Sequence, residues 1–141
     1  MFSLKWQLQS LHVIANLFWI GAIVAVGVLL TAQSAGSVKE RAGLALRVYG
    51  AVAVPAFVVS FLAGALRLAQ DLPYYFKETH FMHAKLPLAL GVIAIHHVLG
   101  ARARRMAKGS VADAGPARTL TLVLAVCAAV AAWLALTELR F

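Results

Sequence analysis

Charged side chains are scarce in this sequence. Of its 141 residues only 13% are charged, whereas 62% are hydrophobic and the mean hydropathy is +0.85. A soluble domain is about half apolar and about a quarter charged, so this chain has too little polar surface to cover a globule in water. The composition excludes an ordinary soluble protein and makes lipid the outer solvent of the fold.

Acidic side chains are the rarest charged groups. Five Asp and Glu stand against thirteen Lys and Arg, which gives a formal net charge of +8. On a soluble chain this excess would suggest binding to nucleic acid. Here the basic residues lie in short connections between apolar runs, where they orient a membrane protein, and we expect no nucleic-acid partner. Cysteine occurs once, at Cys127, so no internal disulfide can form.

Long apolar runs make up most of the chain. Four occur, and each is near the length of about 20 residues that a helix needs to cross the hydrocarbon core. We predict an all-α integral membrane protein, a four-transmembrane-helix bundle in which residues 1–141 form a single transmembrane domain. The helices are predicted at about 6–31, 46–70, 82–101 and 117–138. The first run also resembles a secretory signal peptide, but it is longer than the apolar region of one, so we expect a membrane helix. Pro55 should remove one hydrogen bond from the second helix and kink it.

Basic residues predict the orientation of the bundle. The connection between the first two helices and the connection between the last two hold eight of the thirteen Lys and Arg: Lys39, Arg41, Arg47, Arg102, Arg104, Arg105, Lys108 and Arg118. Because cytoplasmic loops are enriched in basic residues, these two connections should be cytoplasmic. We therefore predict a multi-pass membrane protein with both termini outside the cytoplasm.

Histidines concentrate in the third apolar run. Segment 80–98 contains four of the five histidines and one lysine: His80, His83, Lys85, His96 and His97. Ionisable groups at membrane depth are costly, so they usually face a bundle interior or a ligand and mark function. The predicted topology brings His83 to the same end of the bundle as His12 of the first helix and Arg67 of the second. His96 lies thirteen residues beyond His83, about 20 Å further along the helix.

Helical rotation, at about 100° per residue, sorts these side chains into faces. On the first helix one stripe contains His12, Asn16 and Trp19, at positions i, i+4 and i+7. On the third helix one face contains His83, Pro87 and His97. Another face of that helix contains Lys85 and His96. We expect one of these two faces to meet a ligand and the other to meet a neighbouring helix.

Two histidines at one depth on facing helices suit the iron of a haem, which takes axial imidazole ligands. His12 and His83 are the preferred pair, with Arg67 or Lys85 as charge-assisted partners of the propionates. Zinc or copper would normally need further Cys, His or carboxylate ligands. No C-x-x-C-H motif is present, which excludes covalent attachment of the c type. The alternative is structural: His12 and His83 form interhelical hydrogen bonds, and Lys85 extends to the interface.

Three motifs follow one another along the chain: H-V-I-A-N-L-F-W at 12–19, V-P-A-F-V-V-S-F-L-A-G at 54–64 and F-M-H-A-K-L-P-L at 81–88. In their order, and in its length, the chain resembles the HemJ family of small bacterial membrane protoporphyrinogen IX oxidases. The resemblance implies haem b, oxidation of protoporphyrinogen IX to protoporphyrin IX in haem biosynthesis, and a place in the bacterial inner membrane. It transfers a functional role to His12, Trp19, His83, Lys85 and His96.

The residues and the resemblance together define an expected site and its partners. We expect catalytic roles for Lys85 and Arg67. We expect the cofactor to be bound by His12, His83, His96, Trp19 and Asn16, with His12 and His83 as the metal ligands. The expected partners are the lipid bilayer, a porphyrin-type small molecule and a quinone as electron acceptor. Association into a homo-oligomer is left open by the sequence.

Two motifs of the family are replaced in this chain. Where the family's first helix ends in Leu-Pro-Arg, this sequence reads V-G-V-L-L-T-A-Q at 26–33, and the family's Asn-Glu-x-Pro is replaced by D-A-G-P-A-R at 113–118. The chain is also similar, more distantly, to the copper-resistance D type of membrane protein. The alternative function is therefore a non-enzymatic haem- or copper-binding membrane protein: a carrier, an electron-transfer protein or a copper-transport subunit.

Overall fold

The structure, a computed structural model, describes residues 3–33, 36–79 and 81–138. Four long helices, numbered here first to fourth, make up most of this part: Leu4–Thr31, Val38–Ala69, Phe81–Ala107 and Ala117–Glu138. Each is long and apolar enough to cross a membrane, and the described ranges contain no strand. The protein is an all-α four-helix membrane bundle, which confirms the predicted fold class.

The second helix begins at Val38, well before the predicted start near residue 46. A capping box accounts for the difference. The Ser37 hydroxyl accepts a hydrogen bond from the backbone N–H of Glu40 at 3.2 Å, and the Glu40 carboxylate accepts one from the backbone N–H of Ser37 at 2.8 Å. These two bonds satisfy donors that would otherwise lack partners at a helix start, so the helix extends beyond the apolar run.

A π-helical turn, Tyr49–Ala53, interrupts the α-helical geometry of the second helix just before Pro55. Proline has no N–H to donate, and its ring clashes with the carbonyl one turn earlier in an α-helix. The wider turn accommodates the proline, and the N–H of Val54 bonds to the carbonyl of Tyr49. The helix thus continues through Pro55, and Tyr49 at the start of the turn is buried in the bundle.

The first helix contacts all three others, and the second and fourth run antiparallel to it. Near its start, Lys5 lies 3.7 Å from Asp71, two residues beyond the end of the second helix. Near its end, Gly27 meets the fourth helix so closely that a Cβ there would overlap the side chain of Thr121. We call the end where the first and third helices begin the terminal end. The other end, which holds the eight basic residues of the two connections, is the basic end.

Burial inside the bundle is uneven along its length. The side chains of Ile23, Val26, Leu99 and Leu124 are completely or almost completely buried. The second half of the fourth helix is instead exposed, with Val126, Val130, Trp133 and Leu136 on its surface. Lipid is as apolar as these side chains, so helices in a membrane associate through close packing and interhelical hydrogen bonds. The interhelical hydrogen bonds therefore indicate which contacts determine the arrangement of the helices.

Candidate functional site

His12 lies at the contact between the first and second helices and uses both ring nitrogens. Its Nδ1 lies 2.8 Å from the backbone carbonyl oxygen of Ser60, and its Nε2 lies 3.0 Å from the side-chain nitrogen of Asn16. The Ser60 hydroxyl donates to the side-chain oxygen of Asn16 at 2.8 Å, which closes the network. A Cβ at Gly64 would stand only 2.8 Å from the imidazole, so this glycine makes room for the ring.

These contacts determine the tautomer of His12. A carbonyl oxygen can only accept a hydrogen bond, so Nδ1 must carry the proton and donate it to Ser60. Nε2 then has a lone pair, which accepts a hydrogen bond from the Asn16 amide. Metal-ligating histidines are commonly held in this way, with one N–H on a backbone carbonyl and the other nitrogen directed at the metal. His12 therefore shows this bonding pattern: its Nδ1–H donates to a backbone carbonyl, and the lone pair of its Nε2 accepts from the Asn16 amide.

His96 occupies a second polar cluster nearer the middle of the bundle. The indole N–H of Trp19 donates to Nδ1 of His96 at 3.1 Å, and Nε2 of His96 lies 3.2 Å from the Tyr49 hydroxyl. The rings of Tyr49 and Phe57 pack on the imidazole, with centroids 4.9 Å and 5.1 Å away. Trp19, Tyr49 and His96 are all buried, and they come from three different helices. A single imidazole therefore links the first, second and third helices.

The tautomer of His96 is the opposite of that of His12. An indole nitrogen can only donate, so Nδ1 of His96 is the acceptor and Nε2 carries the proton. That proton points to the Tyr49 oxygen. No lone pair on the His96 ring is then left for a metal. His96 consequently fits a packing and positioning role better than a ligand role.

The two predicted faces of the third helix are confirmed. His83, Pro87 and His97 are exposed, whereas His96 is buried and Lys85 is half-buried. The His83 ring packs edge-on against Phe76 with centroids 5.5 Å apart. His83 thus lies on a different face from the residues that meet the bundle interior. The remaining histidine of this stretch, His80, lies outside the described residues.

Two of the cations at the terminal end, Arg67 and Lys85, each lie over an aromatic ring. The guanidinium of Arg67 lies 5.2 Å from the ring centre of Tyr75, and the ammonium of Lys85 lies 5.5 Å from that of Phe81. Tyr75 and Phe81 are themselves in contact, with centroids 5.7 Å apart. The Nη1 atom of Arg67 is buried and has no hydrogen-bond partner in the described part of the chain.

An apolar groove of about 330 Å³ runs between the first and second helices. Its walls include Ala15 and Val59, which adjoin Asn16 and Ser60 in the sequence, together with Phe18. The groove opens to the surface of the bundle, which in a membrane is lipid. An apolar molecule could therefore approach this helix pair directly from the bilayer.

Several predicted site residues are brought together. The stripe of His12, Asn16 and Trp19 is confirmed, since each of the three bonds to the second or third helix or to a neighbour in the same stripe. Two further residues of these clusters, Ser60 and Tyr49, were not predicted. Each did have a signal: Ser60 is the one serine, and Tyr49 the one tyrosine, in the second apolar run.

Comparison with known proteins identified no relative of this chain. No family model, curated protein or solved structure matches the chain. Within the described ranges, no group of three or more His, Cys, Asp or Glu side chains could hold a metal ion alone. Zinc and copper sites usually have three or four protein ligands of these types, whereas a haem needs only one or two.

Proposed function

We propose that this chain is a haem b-binding membrane oxidoreductase that oxidises protoporphyrinogen IX to protoporphyrin IX. One observation carries the proposal. His12 has its Nδ1–H fixed by a carbonyl of the second helix, while its Nε2 lone pair meets only the side-chain amide of Asn16. A histidine that ligates a metal through Nε2 is typically held in this way, with its Nδ1–H donated to a carbonyl.

His12 is the residue that would hold the iron. The Asn16 amide is the contact that ligation at Nε2 would displace, and a neutral hydrogen bond of this kind contributes about 1 kcal/mol net. His96 has both nitrogens engaged by Trp19 and Tyr49, so it supports the packing around the site. His83, the other expected ligand, is on the exposed face of the third helix, and the proposal therefore rests on His12.

Arg67 and Lys85 are the proposed partners of the substrate's propionates. Both cations are half-buried at the terminal end, and each is oriented by an aromatic ring. The buried Nη1 of Arg67 has no hydrogen-bond partner among the described residues, so a carboxylate would satisfy it. Charge-assisted bonds between guanidinium and carboxylate are among the strongest that a protein makes. The two cations would orient an apolar macrocycle whose acidic groups point toward the membrane surface.

A bound haem would supply a one-electron redox centre. The oxidation removes six electrons and six protons from the porphyrinogen, so an external acceptor is required, and a quinone from the membrane is the proposed one. The chain itself binds and orients the substrate. Its apolar groove between the first and second helices opens to lipid, from which a hydrophobic substrate can enter without crossing water.

Complementation of a bacterial strain that lacks protoporphyrinogen oxidase tests this proposal. The wild-type chain should restore growth and prevent porphyrinogen accumulation. Arg67→Ala and Lys85→Ala should lower the rescue more than they lower the haem content, since both act on the substrate. Lys5→Ala is the matched control, because Lys5 is an exposed cation at the same end that pairs with Asp71.

The same experiment separates the alternatives. If the wild-type chain is well expressed and loaded with haem but does not complement, the oxidase function is wrong and the chain is a haem-binding carrier or electron-transfer protein. If the purified protein contains copper and no haem, the copper-transport alternative replaces the proposal. Equal loss of rescue in Lys5→Ala and Lys85→Ala would contradict the assigned roles of the cations.

A further inference from the structure

The second and third helices are longer than a bilayer core requires. At about 1.5 Å per residue, the 32 residues of the second helix span about 48 Å and the 27 residues of the third about 40 Å. The hydrocarbon core is only about 30 Å thick. The most polar part of the second helix is its first segment, Val38–Val48, and the third helix ends in a basic stretch. In a bilayer, the extra length at the basic end would lie among the lipid headgroups.

A groove lies between these two projecting helix ends. It has a volume of about 580 Å³ and is lined by the second helix and by Ala107 at the end of the third. Lys39, Gly43 and Arg47 follow one another along it at four-residue spacing, so they share one face of the second helix. A Cβ at Gly43 would meet nothing within 4 Å, which shows that the space between the two cations is open. The exposed side chain of Leu44 adds an apolar wall.

The groove has an excess of positive charge. Its single acidic residue, Glu40, is held by the capping box with Ser37. Neither Lys39 nor Arg47 forms an ion pair within the ranges that the structure describes. Two cations, an open space between them and an apolar wall thus occur together at headgroup depth.

We propose that this groove binds one anionic phospholipid. Its phosphate would lie between Lys39 and Arg47, and its glycerol and upper acyl chains would lie against Leu44 and Ala107. The depth of the groove in the membrane favours a lipid as its ligand. Lipid phosphates are the most concentrated anions in the headgroup layer, and basic residues there attract anionic lipids. The apolar wall favours a lipid over a free inorganic anion. This inference is independent of the proposed oxidase function, because it concerns the opposite end of the bundle.

Lipid titration of the detergent-purified full chain tests the proposal, with bound lipid counted by native mass spectrometry. We expect phosphatidylglycerol to bind and to raise the melting temperature, whereas phosphatidylcholine does neither. The double variant Lys39→Gln/Arg47→Gln should weaken phosphatidylglycerol binding about thirtyfold, as expected for the loss of two interfacial cations. The matched control is Lys108→Gln/Arg118→Gln, which removes two exposed cations at the same end that do not line the groove.

Gly43→Leu provides a second test that keeps every charge. The new side chain has room to fit, so the fold should tolerate it, but it fills the groove and should weaken phosphatidylglycerol binding at least tenfold. Gly21→Leu is its control, since a Cβ there also meets nothing within 4 Å. Three results would overturn the proposal: equal loss of binding in both double variants, full binding in Gly43→Leu, or the same stabilisation by inorganic phosphate alone.

Discussion

The indole N–H of Trp19 donates a hydrogen bond to Nδ1 of His96 at 3.1 Å, with both side chains buried between the first and third helices. Because an indole can only donate, the bond fixes the proton of His96 on Nε2, which points to the Tyr49 hydroxyl. One imidazole thus joins three helices. Interhelical hydrogen bonds of this kind specify the packing of a membrane bundle, in which the apolar surfaces alone do not distinguish helix from lipid.

The first prediction concerns this bond. Trp19→Phe keeps an aromatic ring but removes the N–H that donates to Nδ1 of His96, which is the one donor to this atom among the described residues. The substitution therefore leaves a buried acceptor unpaired. We expect a loss of about 1–2 kcal/mol in the free energy of unfolding, measured by denaturant titration in detergent. Trp133→Phe is the control, since Trp133 is 63% exposed to lipid. Equal midpoints for the two variants would show that the bond contributes nothing to stability.

A second prediction tests how Tyr49 reaches His96. Gly100 lies against the Tyr49 ring so closely that a Cβ would overlap it. Gly100→Ala should therefore destabilise the bundle by about 1–3 kcal/mol, as overpacking does in a tightly packed core. Gly91→Ala, in the same helix, adds a Cβ that meets nothing within 4 Å and should be neutral or stabilising. Equal melting temperatures for Gly100→Ala and Gly91→Ala would contradict the close contact between Gly100 and the Tyr49 ring.

Hydropathy was sufficient to predict the four helices, because a membrane fixes both the length and the composition of a spanning segment. It was not sufficient to predict the start of the second helix. Lys39 and Arg41 lower the apolar character there, and hydropathy reports burial in lipid rather than helix formation. The sequence feature that indicates this helix start is the Ser-x-x-Glu spacing of Ser37 and Glu40. It forms a capping box, which stabilises a helix start whatever the polarity of the following turn.

The candidate site was predictable within each helix and unpredictable between helices. Rotation at about 100° per residue correctly grouped His12, Asn16 and Trp19 on one face. The partners Ser60 and Tyr49 were missed because a contact across helices depends on their relative height and rotation. For Tyr49, the π-helical turn before Pro55 also changes the rotation of the second helix. Local periodicity contains no information on either quantity.

Asn16 provides the third prediction. Its amide donates to the Nε2 of His12 that the proposal assigns to iron, so it competes with the metal for that lone pair. Asn16→Ala should therefore retain haem at least as well as the wild type. The measurement is the rate at which haem transfers from the purified protein to an excess of apomyoglobin. Faster loss from Asn16→Ala would show that Asn16 holds the cofactor in place, contrary to this assignment.

The fourth prediction is topological. The eight basic residues at one end of the bundle predict that this end is cytoplasmic and that both termini are outside. In a Cys127→Ala background, an impermeant thiol reagent added to whole cells should label Ser3→Cys and leave Ser110→Cys unlabelled. Both positions are exposed, so accessibility within the protein is matched. Labelling of Ser110→Cys alone would show that the orientation is the opposite of the predicted one.

The visible absorption spectrum of the detergent-purified protein tests the central claim most directly. We predict a Soret band in the wild type that is lost in His12→Ala and retained in His97→Ala, because His12 presents an oriented Nε2 whereas His97 lies on the exposed face of the third helix. A pyridine haemochrome assay would identify the haem as type b. A wild type without a Soret band after expression with added haem precursor, or a full and unshifted band in His12→Ala, would contradict the account.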